Sequence, residues 1–170
     1  MVRVEHVLEN WKSIRQDTIA AVEEFPSAEF DFRASPDLMT FRELARHIVV
    51  AGHALTGMLL AGETDFTGPQ FREKLKPHVP DVPESADAAR LIQALRDSID
   101  QRTAQLAGQT PEYYAGIVTR MDGEKVTRLE MLQFVKEHEL THRSQMFMYL
   151  RFKGIVPTTT RRRLARQAAK

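Results

Sequence analysis

The amino-acid sequence predicts an all-α protein built as a four-helix bundle. Four segments of the 170 residues carry apolar side chains at the three- and four-residue spacing of one helix face. Two of these segments open with a capping box, and a proline-rich connection of 23 residues separates the second segment from the third. Four amphipathic helices of this length can bury their apolar faces only against one another, which is the packing of a bundle.

The first helix is expected over about Val4 to Glu24. Its apolar positions follow one helix face, and Trp11 among them is expected in the core. The helix should end just before Pro26, because the residue that precedes a proline is disfavoured in the α region.

The second helix begins after Thr40, whose hydroxyl can cap the helix while Glu43 reaches back to complete a capping box. It should end at Gly62. The connection from Gly62 to Glu84 is long for a compact domain. A crossover that travels the length of the bundle accounts for it and leaves the second and third helices parallel. A short helical turn fits at Phe71–Leu75 within this connection.

The third helix is expected from about Ser85, with Asp87 in its first turn, where a carboxylate is favourable to the helix dipole. Gly108 is well placed to end it. Between this helix and the next, Gly116–Val126 can form a small hairpin around an Asp-Gly turn. Two short strands are too few to found a sheet, so the fold class stays all-α.

The fourth helix opens with the second capping box, Thr127 to Glu130, and should end before Gly154. His138 and His142 lie four residues apart on its apolar face, so their rings are about one turn apart. Two imidazoles at this spacing can bind one divalent ion. The alternative is a pair of core histidines whose nitrogens are satisfied by their neighbours.

The segment from His138 to His142 reads His-Glu-Leu-Thr-His, which matches the signature of zinc proteases. Those enzymes take their third ligand downstream. No His, Asp or Glu follows His142, and Gln145 stands where the longer protease motif needs glycine, so the protease interpretation is disfavoured. A ferritin-like di-iron site is disfavoured as well, because it needs Glu-x-x-His on two helices and only Glu139 with His142 supplies that spacing.

The composition leaves imidazole and carboxylate groups as the ligands for any metal. The chain has 6 His and no Cys, which excludes disulfides, thiol nucleophiles and cysteine-based metal sites. A third ligand must come from upstream, and His47 is the strongest candidate because it borders the buried stripe of the second helix. His53 is six positions on, about 240° around the helix, and is expected at a boundary or in solvent. His6 lies in the first helical turn and His78 in the proline-rich connection.

Three polar side chains are candidates for positioning a ligand near such a site. Glu43 lies four residues before His47 on the same face and can orient that imidazole, although its capping-box role is an alternative. Gln145 shares the face of the fourth-helix histidines, and Glu139 lies between those histidines. A three-imidazole site keeps a position open for water or substrate, and a metal there can lower the pKa of a bound water or thiol.

The net charge of +1 hides an uneven distribution. Residues 161–170 hold five basic residues and no acid, so the preceding 160 residues sum to −4. An acidic body offers no electrostatic footprint for nucleic acid, and the tail is expected to be a solvated terminus. Charged residues interrupt Val2 to Trp11, which excludes a signal peptide there, and no apolar run is long enough to span a membrane. We expect a cytoplasmic protein without nucleic-acid or membrane partners.

Two histidine segments resemble the DinB superfamily of metal-dependent four-helix-bundle proteins. They are Phe41 to His47, and Glu137 to Gln145, the latter followed by a Gly-x-x-Pro end at Gly154 to Pro157. The resemblance spans essentially residues 1–157, which predicts a DinB-like bundle over 1–157 and a basic C-terminal tail over 158–170. One departure is Ser144, where the family commonly has glycine.

The resemblance implies more than the fold class. It implies an up-down-down-up helix order, metal ligation by His47, His138 and His142, nickel or zinc as the usual metal, and often a homodimer. Some members of the superfamily are transferases or isomerases that use the thiols bacillithiol, mycothiol or glutathione. The expected function is therefore a divalent-metal-dependent enzyme of the thiol S-transferase or isomerase kind, acting on a small-molecule substrate or thiol. The alternative is a non-catalytic bundle that binds a metal or ligand.

Overall fold

Helices dominate the computed structural model, which describes residues 3–169. Met1, Val2 and Lys170, which the predicted domain limits include, lie outside the described residues. The elements in chain order are α1 (Val4–Glu24), α2 (Phe41–Leu60), α3 (Phe71–Leu75), α4 (Ala88–Ala107), α5 (Pro111–Ala115), β1 (Ile117–Thr119), β2 (Lys125–Thr127), α6 (Arg128–Phe152) and α7 (Thr158–Ala168). None of the helices in this part of the chain is both long and apolar enough to cross a membrane.

The four long helices α1, α2, α4 and α6 form the bundle. Helices α1 and α2 each pack against both α4 and α6, so they occupy opposite corners. Arg42 near the start of α2 donates to the carbonyl of Ala86 just before α4, and Arg102 late in α4 donates to the carbonyl of His53, so α2 and α4 run parallel. The predicted crossover is therefore confirmed.

Two clusters of buried side chains show in which direction each of the remaining helices runs. The upper cluster joins the last turns of α1, the first turns of α2 and α4 and the last turns of α6. The lower cluster joins the first turns of α1, the last turns of α2 and α4 and the first turns of α6. Helix α1 is thus parallel to α6 and antiparallel to α2 and α4, which gives the up-down-down-up order. Trp11, 1% exposed, lies in the lower cluster as expected.

The local start and stop signals act where the sequence places them. Thr40 and Thr127 both cap their helices through their hydroxyls, and both capping boxes are complete. Helix α4 begins at Ala88, three residues later than expected, because Asp87 caps it from outside by accepting a hydrogen bond from the Arg90 amide. The hairpin of β1 and β2 forms with Gly123 at a positive φ of 87°, a conformation that glycine adopts without strain.

Arginine side chains hold the proline-rich crossover against the bundle. Arg46 donates to the carbonyl of Val82 at 2.8 Å, and Arg42 donates to that of Ala86 at 2.6 Å. Val82 and Ala86 are themselves buried in the upper cluster. The crossover is therefore ordered by side-chain hydrogen bonds to its carbonyls, and it contributes to the core although it has little helix of its own.

The last segment is exposed, as expected of a solvated terminus, but it forms a helix. Residues Thr158–Ala168 form α7, which lies against α1. Arg161 forms an ion pair with Glu24, and Arg162 forms one with Asp17 at 2.5 Å. The expectation missed this helix because its partners are acids of α1 more than a hundred residues away in the sequence.

Candidate metal centre

Three histidine side chains meet between α2 and α6. His47 lies in the second turn of α2, and His138 and His142 lie one turn apart near the middle of α6. The Nε2 atom of His138 is 3.2 Å from Nε2 of His47 and 3.1 Å from Nε2 of His142. All three side chains are partly buried, and their nearest ring nitrogens lie within 4.8 Å of one another.

These separations fit the coordination shell of a single divalent ion. Tetrahedral ligands at 2.0–2.1 Å from zinc are about 3.3 Å apart, close to the observed spacing of the imidazole nitrogens. In the part of the chain that the structure describes, no other group of three or more histidine and acidic side chains converges in this way. The chemistry and the spacing of the donors therefore both suit a metal.

The surroundings keep two of the imidazoles neutral, which is the form that binds a metal. The pKa of His138 is lowered to about 4, mainly by burial and also by the neighbouring His142 and His47. Burial also lowers the pKa of His47, with a smaller contribution from His142. At neutral pH both side chains present an unprotonated nitrogen.

Gln145 fixes the orientation of one member of the triad. Its Oε1 atom lies 2.7 Å from Nδ1 of His142 and accepts a hydrogen bond when that nitrogen carries the proton. The proton on Nδ1 leaves the Nε2 lone pair of His142 facing the other two histidines. This is the arrangement by which a neighbouring group commonly sets the tautomer of a metal-binding histidine.

Glu139 lies about 60–100° around α6 from the two histidines and faces α1. Its carboxylate accepts hydrogen bonds from Trp11 Nε1 at 2.7 Å, from Arg15 Nε and Nη2 at 2.7 and 2.8 Å, and from Thr18 Oγ1 at 3.0 Å. Glu139 is 2% exposed and Arg15 is fully buried. The glutamate that would be the general base of a zinc protease is thus committed to a buried network within the bundle.

Glu43 serves its alternative role as a capping residue. Its carboxylate accepts a hydrogen bond from the backbone amide of Thr40 at 2.6 Å and approaches Arg33 at 3.6 Å. The hydrogen bond from the Thr40 backbone is the main reason why the pKa of Glu43 lies below its usual range. Because this carboxylate is engaged at the helix start, it does not orient His47 by a hydrogen bond among the described contacts.

A cavity of about 900 Å³ lies beside the triad. His47, Glu43 and Val50 line it from α2, residues of the loop before α2 line another side, and Glu84 and Ser85 before α4 complete it. Arg46 also lines this cavity, half-buried, with no carboxylate oxygen within 4.0 Å among residues 3–169. Arg46 was not identified from the sequence, because a charged residue on an amphipathic helix is usually exposed to solvent.

The remaining histidines lie away from the triad. His53 faces α4, where its Nδ1 atom is 3.3 Å from the Ser98 hydroxyl. Burial lowers the pKa of His53 to about 4, and the charge of Arg102 contributes. His78, in the crossover, packs against Gly57 of α2. His6 is exposed in the first turn of α1. The choice of His47 over these three as the partner of the α6 histidines matches the placement in the structure.

Comparison with known proteins gives one family and a consistent set of folds. The family model described as DinB family matches residues 1–169. The uncharacterized protein YjoA of Bacillus subtilis (strain 168) is 22% identical over 157 residues, which are 91% of this chain and 93% of YjoA. The crystal structure of YjoA, a DinB-like protein, has a TM-score of 0.66 at 21% identity and covers 88% of this chain and 92% of its own.

Two further solved structures share the fold. YfiT from Bacillus subtilis, described as a probable metal-dependent hydrolase with an unusual four-helix bundle topology, has a TM-score of 0.70 at 18% identity, with 91% of each chain covered. A mycothiol-dependent maleylpyruvate isomerase has a TM-score of 0.64 at 14% identity and covers 85% of this chain and 61% of that one. At these identities the likeness shows the fold alone.

Proposed function

The chain belongs to the DinB family, and from this premise we propose that it is a divalent-metal-dependent enzyme of the thiol S-transferase or isomerase kind. The observation that carries the proposal is the convergence of three imidazole Nε2 atoms beside a cavity of about 900 Å³. This volume lies within the range of about 300–1,000 Å³ that is usual for small-molecule sites.

His47, His138 and His142 would hold the metal, with nickel or zinc as the proposed ion. When bound, a divalent ion with three imidazole ligands supplies a strong local positive charge that lowers the pKa of a thiol or a water at its open position. The rest of the site is the work of this chain. Gln145 holds His142 in the required tautomer, and burial keeps the imidazoles of His47 and His138 unprotonated.

The absence of cysteine from the chain is consistent with a thiol supplied by a co-substrate. The sulfur of such a molecule would be the nucleophile, and the protein would bind and orient it. The mycothiol-dependent isomerase with the same fold supports this choice of co-substrate class. The cavity beside His47 is large enough for a molecule of that size.

The alternative is a bundle that binds a metal or a ligand without catalysis. One observation favours it: Glu139, the carboxylate between the two α6 histidines in the sequence, has its oxygens engaged by Trp11, Arg15 and Thr18. It is therefore not free to act as a general base. A thiol reaction needs no such base when the metal itself favours the thiolate, so the enzyme proposal does not depend on Glu139.

A thiol panel tests the proposal. The metal-loaded protein is incubated with bacillithiol, mycothiol, glutathione or coenzyme A and the electrophile monochlorobimane, with and without a chelator. We expect turnover with at least one thiol, lost on chelation and in His142→Ala, and retained in the matched variant His53→Ala. Turnover that resists the chelator would refute the metal's role, and no turnover with any thiol would favour the binding bundle.

A further inference from the structure

A groove between α1 and α7, which none of the three histidines lines, carries a concentration of arginine side chains. Arg162, Arg163 and Arg166 line it from α7 together with Thr159, and Ser13 lines it from α1. Its volume is about 420 Å³. The residues that line the groove belong to α1 and α7 and to neither α2 nor α6, so the groove is a different site from the metal centre.

One arginine of this groove, Arg162, attaches α7 to α1 through an ion pair. Asp17 on α1 is 6% exposed and accepts hydrogen bonds from two guanidinium groups, that of Arg162 at 2.5 Å and that of Arg143 of α6 at 3.0 Å. The buried carboxylate therefore holds Arg162 in place at the edge of the groove. One negative charge is shared between two positive ones.

The remaining arginines of the groove have no such partner. Arg163 and Arg166 are exposed, and no carboxylate oxygen lies within 4.0 Å of either guanidinium among the described residues. Together with Arg162 they bring three positive charges to the lining of the groove, against the single charge of Asp17. An excess of two positive charges in one groove is a favourable local potential for an anion.

The side chains that face the groove match phosphate in kind as well as in charge. A guanidinium is a planar fork of N–H donors that binds phosphate oxygens in pairs. Arg163 and Arg166 are three residues apart on one helix face, so their Cβ atoms are about 5–6 Å apart and both forks can reach one compact anion. The hydroxyls of Ser13 and Thr159 add neutral donors at the same place.

We propose that this groove binds a small molecule that bears two or more phosphoryl groups, such as a nucleoside diphosphate. The volume suits a compact ligand, and the excess charge matches a pyrophosphate group. A long nucleic acid is the less suitable ligand, because the other 160 residues carry a net charge of −4 and would repel its flanking phosphates.

Isothermal titration calorimetry of the full chain at low ionic strength, with inorganic pyrophosphate and ADP as separate probes, tests the proposal. We expect saturable binding of both at one site per chain, weakened at least about tenfold in Arg163→Ala/Arg166→Ala. The matched control Arg72→Ala/Lys125→Ala removes the same two charges from exposed positions elsewhere and should bind as the wild type does.

The comparison of probes and variants decides the chemistry. Tighter binding of ADP than of pyrophosphate assigns the nucleoside a place in the groove, and equal binding assigns recognition to the phosphates alone. Arg163→Lys/Arg166→Lys should recover only part of the affinity, because lysine keeps the charge without the fork. Absence of saturable binding of either probe, an equal loss in the control pair, or tighter binding of duplex DNA than of either probe would overturn the proposal.

Discussion

Replacing Glu139 by glutamine should destabilise the bundle strongly while leaving the metal site intact. The carboxylate of Glu139 lies between α1 and α6 and accepts hydrogen bonds from Trp11, Arg15 and Thr18. Arg15 also donates to the carbonyl of Leu95, so this one guanidinium connects α1, α4 and α6. Glutamine preserves the volume of the side chain but removes the negative charge that these donors share.

The size of the effect follows from the burial of both partners. Arg15 is 0% exposed and Glu139 is 2% exposed, so water cannot replace the lost carboxylate. Removing one partner of a buried ion pair typically costs about 3–5 kcal/mol, because it leaves the other charge uncompensated. For a chain of this length each kcal/mol lowers the melting temperature by about 2–4 °C, so we expect a fall of roughly 6–20 °C.

Urea unfolding followed by circular dichroism measures this cost, and a double variant isolates its cause. Replacing both partners with apolar residues, as in Arg15→Met/Glu139→Leu, removes the unpaired charge and should restore much of the lost stability. Folded Glu139→Gln should still bind the metal, since the described hydrogen bonds of its carboxylate go to side chains of α1 and to none of the three histidines.

Two outcomes would refute this reasoning. A loss of less than about 1 kcal/mol in Glu139→Gln would place the pair among ion pairs screened by solvent, against the burial of both side chains. Loss of metal binding in a variant that keeps its stability would make Glu139 part of the metal centre.

Three further predictions concern the histidines and the assembly. Gln145→Ala should weaken metal affinity about 10–100-fold, measured by competition with a chelating dye, while the exposed Ser144→Ala should not; equal affinities would show that the Gln145 hydrogen bond is irrelevant. His53, with its pKa lowered to about 4, stays neutral in the folded chain while the unfolded chain takes up a proton below about pH 6.5. The free energy of unfolding should therefore decrease as the pH is lowered from 6.5 to 4. The urea midpoint should depend less steeply on pH in His53→Gln than in the wild type. Equal pH dependence of the two midpoints would contradict the burial of His53. We also propose a homodimer, which light scattering on the eluting protein tests, and a monomer across the concentration range would exclude it.

Features that depend on local sequence were predictable. The amphipathic spacing and the start signals at Thr40 and Thr127 act within one or two helical turns, so the four long helices appear close to their expected limits. The triad was predictable as well, because the two α6 histidines share a face and His47 lies on the buried side of α2. The short α5 was missed although Thr110 and Pro111 together form a start signal for a helix.

Features that depend on distant contacts were not predictable. From the sequence alone Arg15 would be predicted as a solvent-exposed charge on α1, because its partner Glu139 is 124 residues away. The same holds for α7, which is attached through Asp17 and Glu24 of α1. The role of Gln145 falls between these cases, because its spacing from His142 placed it on the correct face but left open whether it contacts a ligand or the histidine itself.

Metal analysis of the purified full-length chain tests the central claim most directly. After saturation with nickel or zinc and removal of the excess ion, elemental analysis should show about one divalent ion per chain in the wild type and in His53→Ala, and almost none in His142→Ala. A wild-type content near zero would contradict a metal centre formed by His47, His138 and His142. Equal contents in the two variants would contradict this choice of ligands.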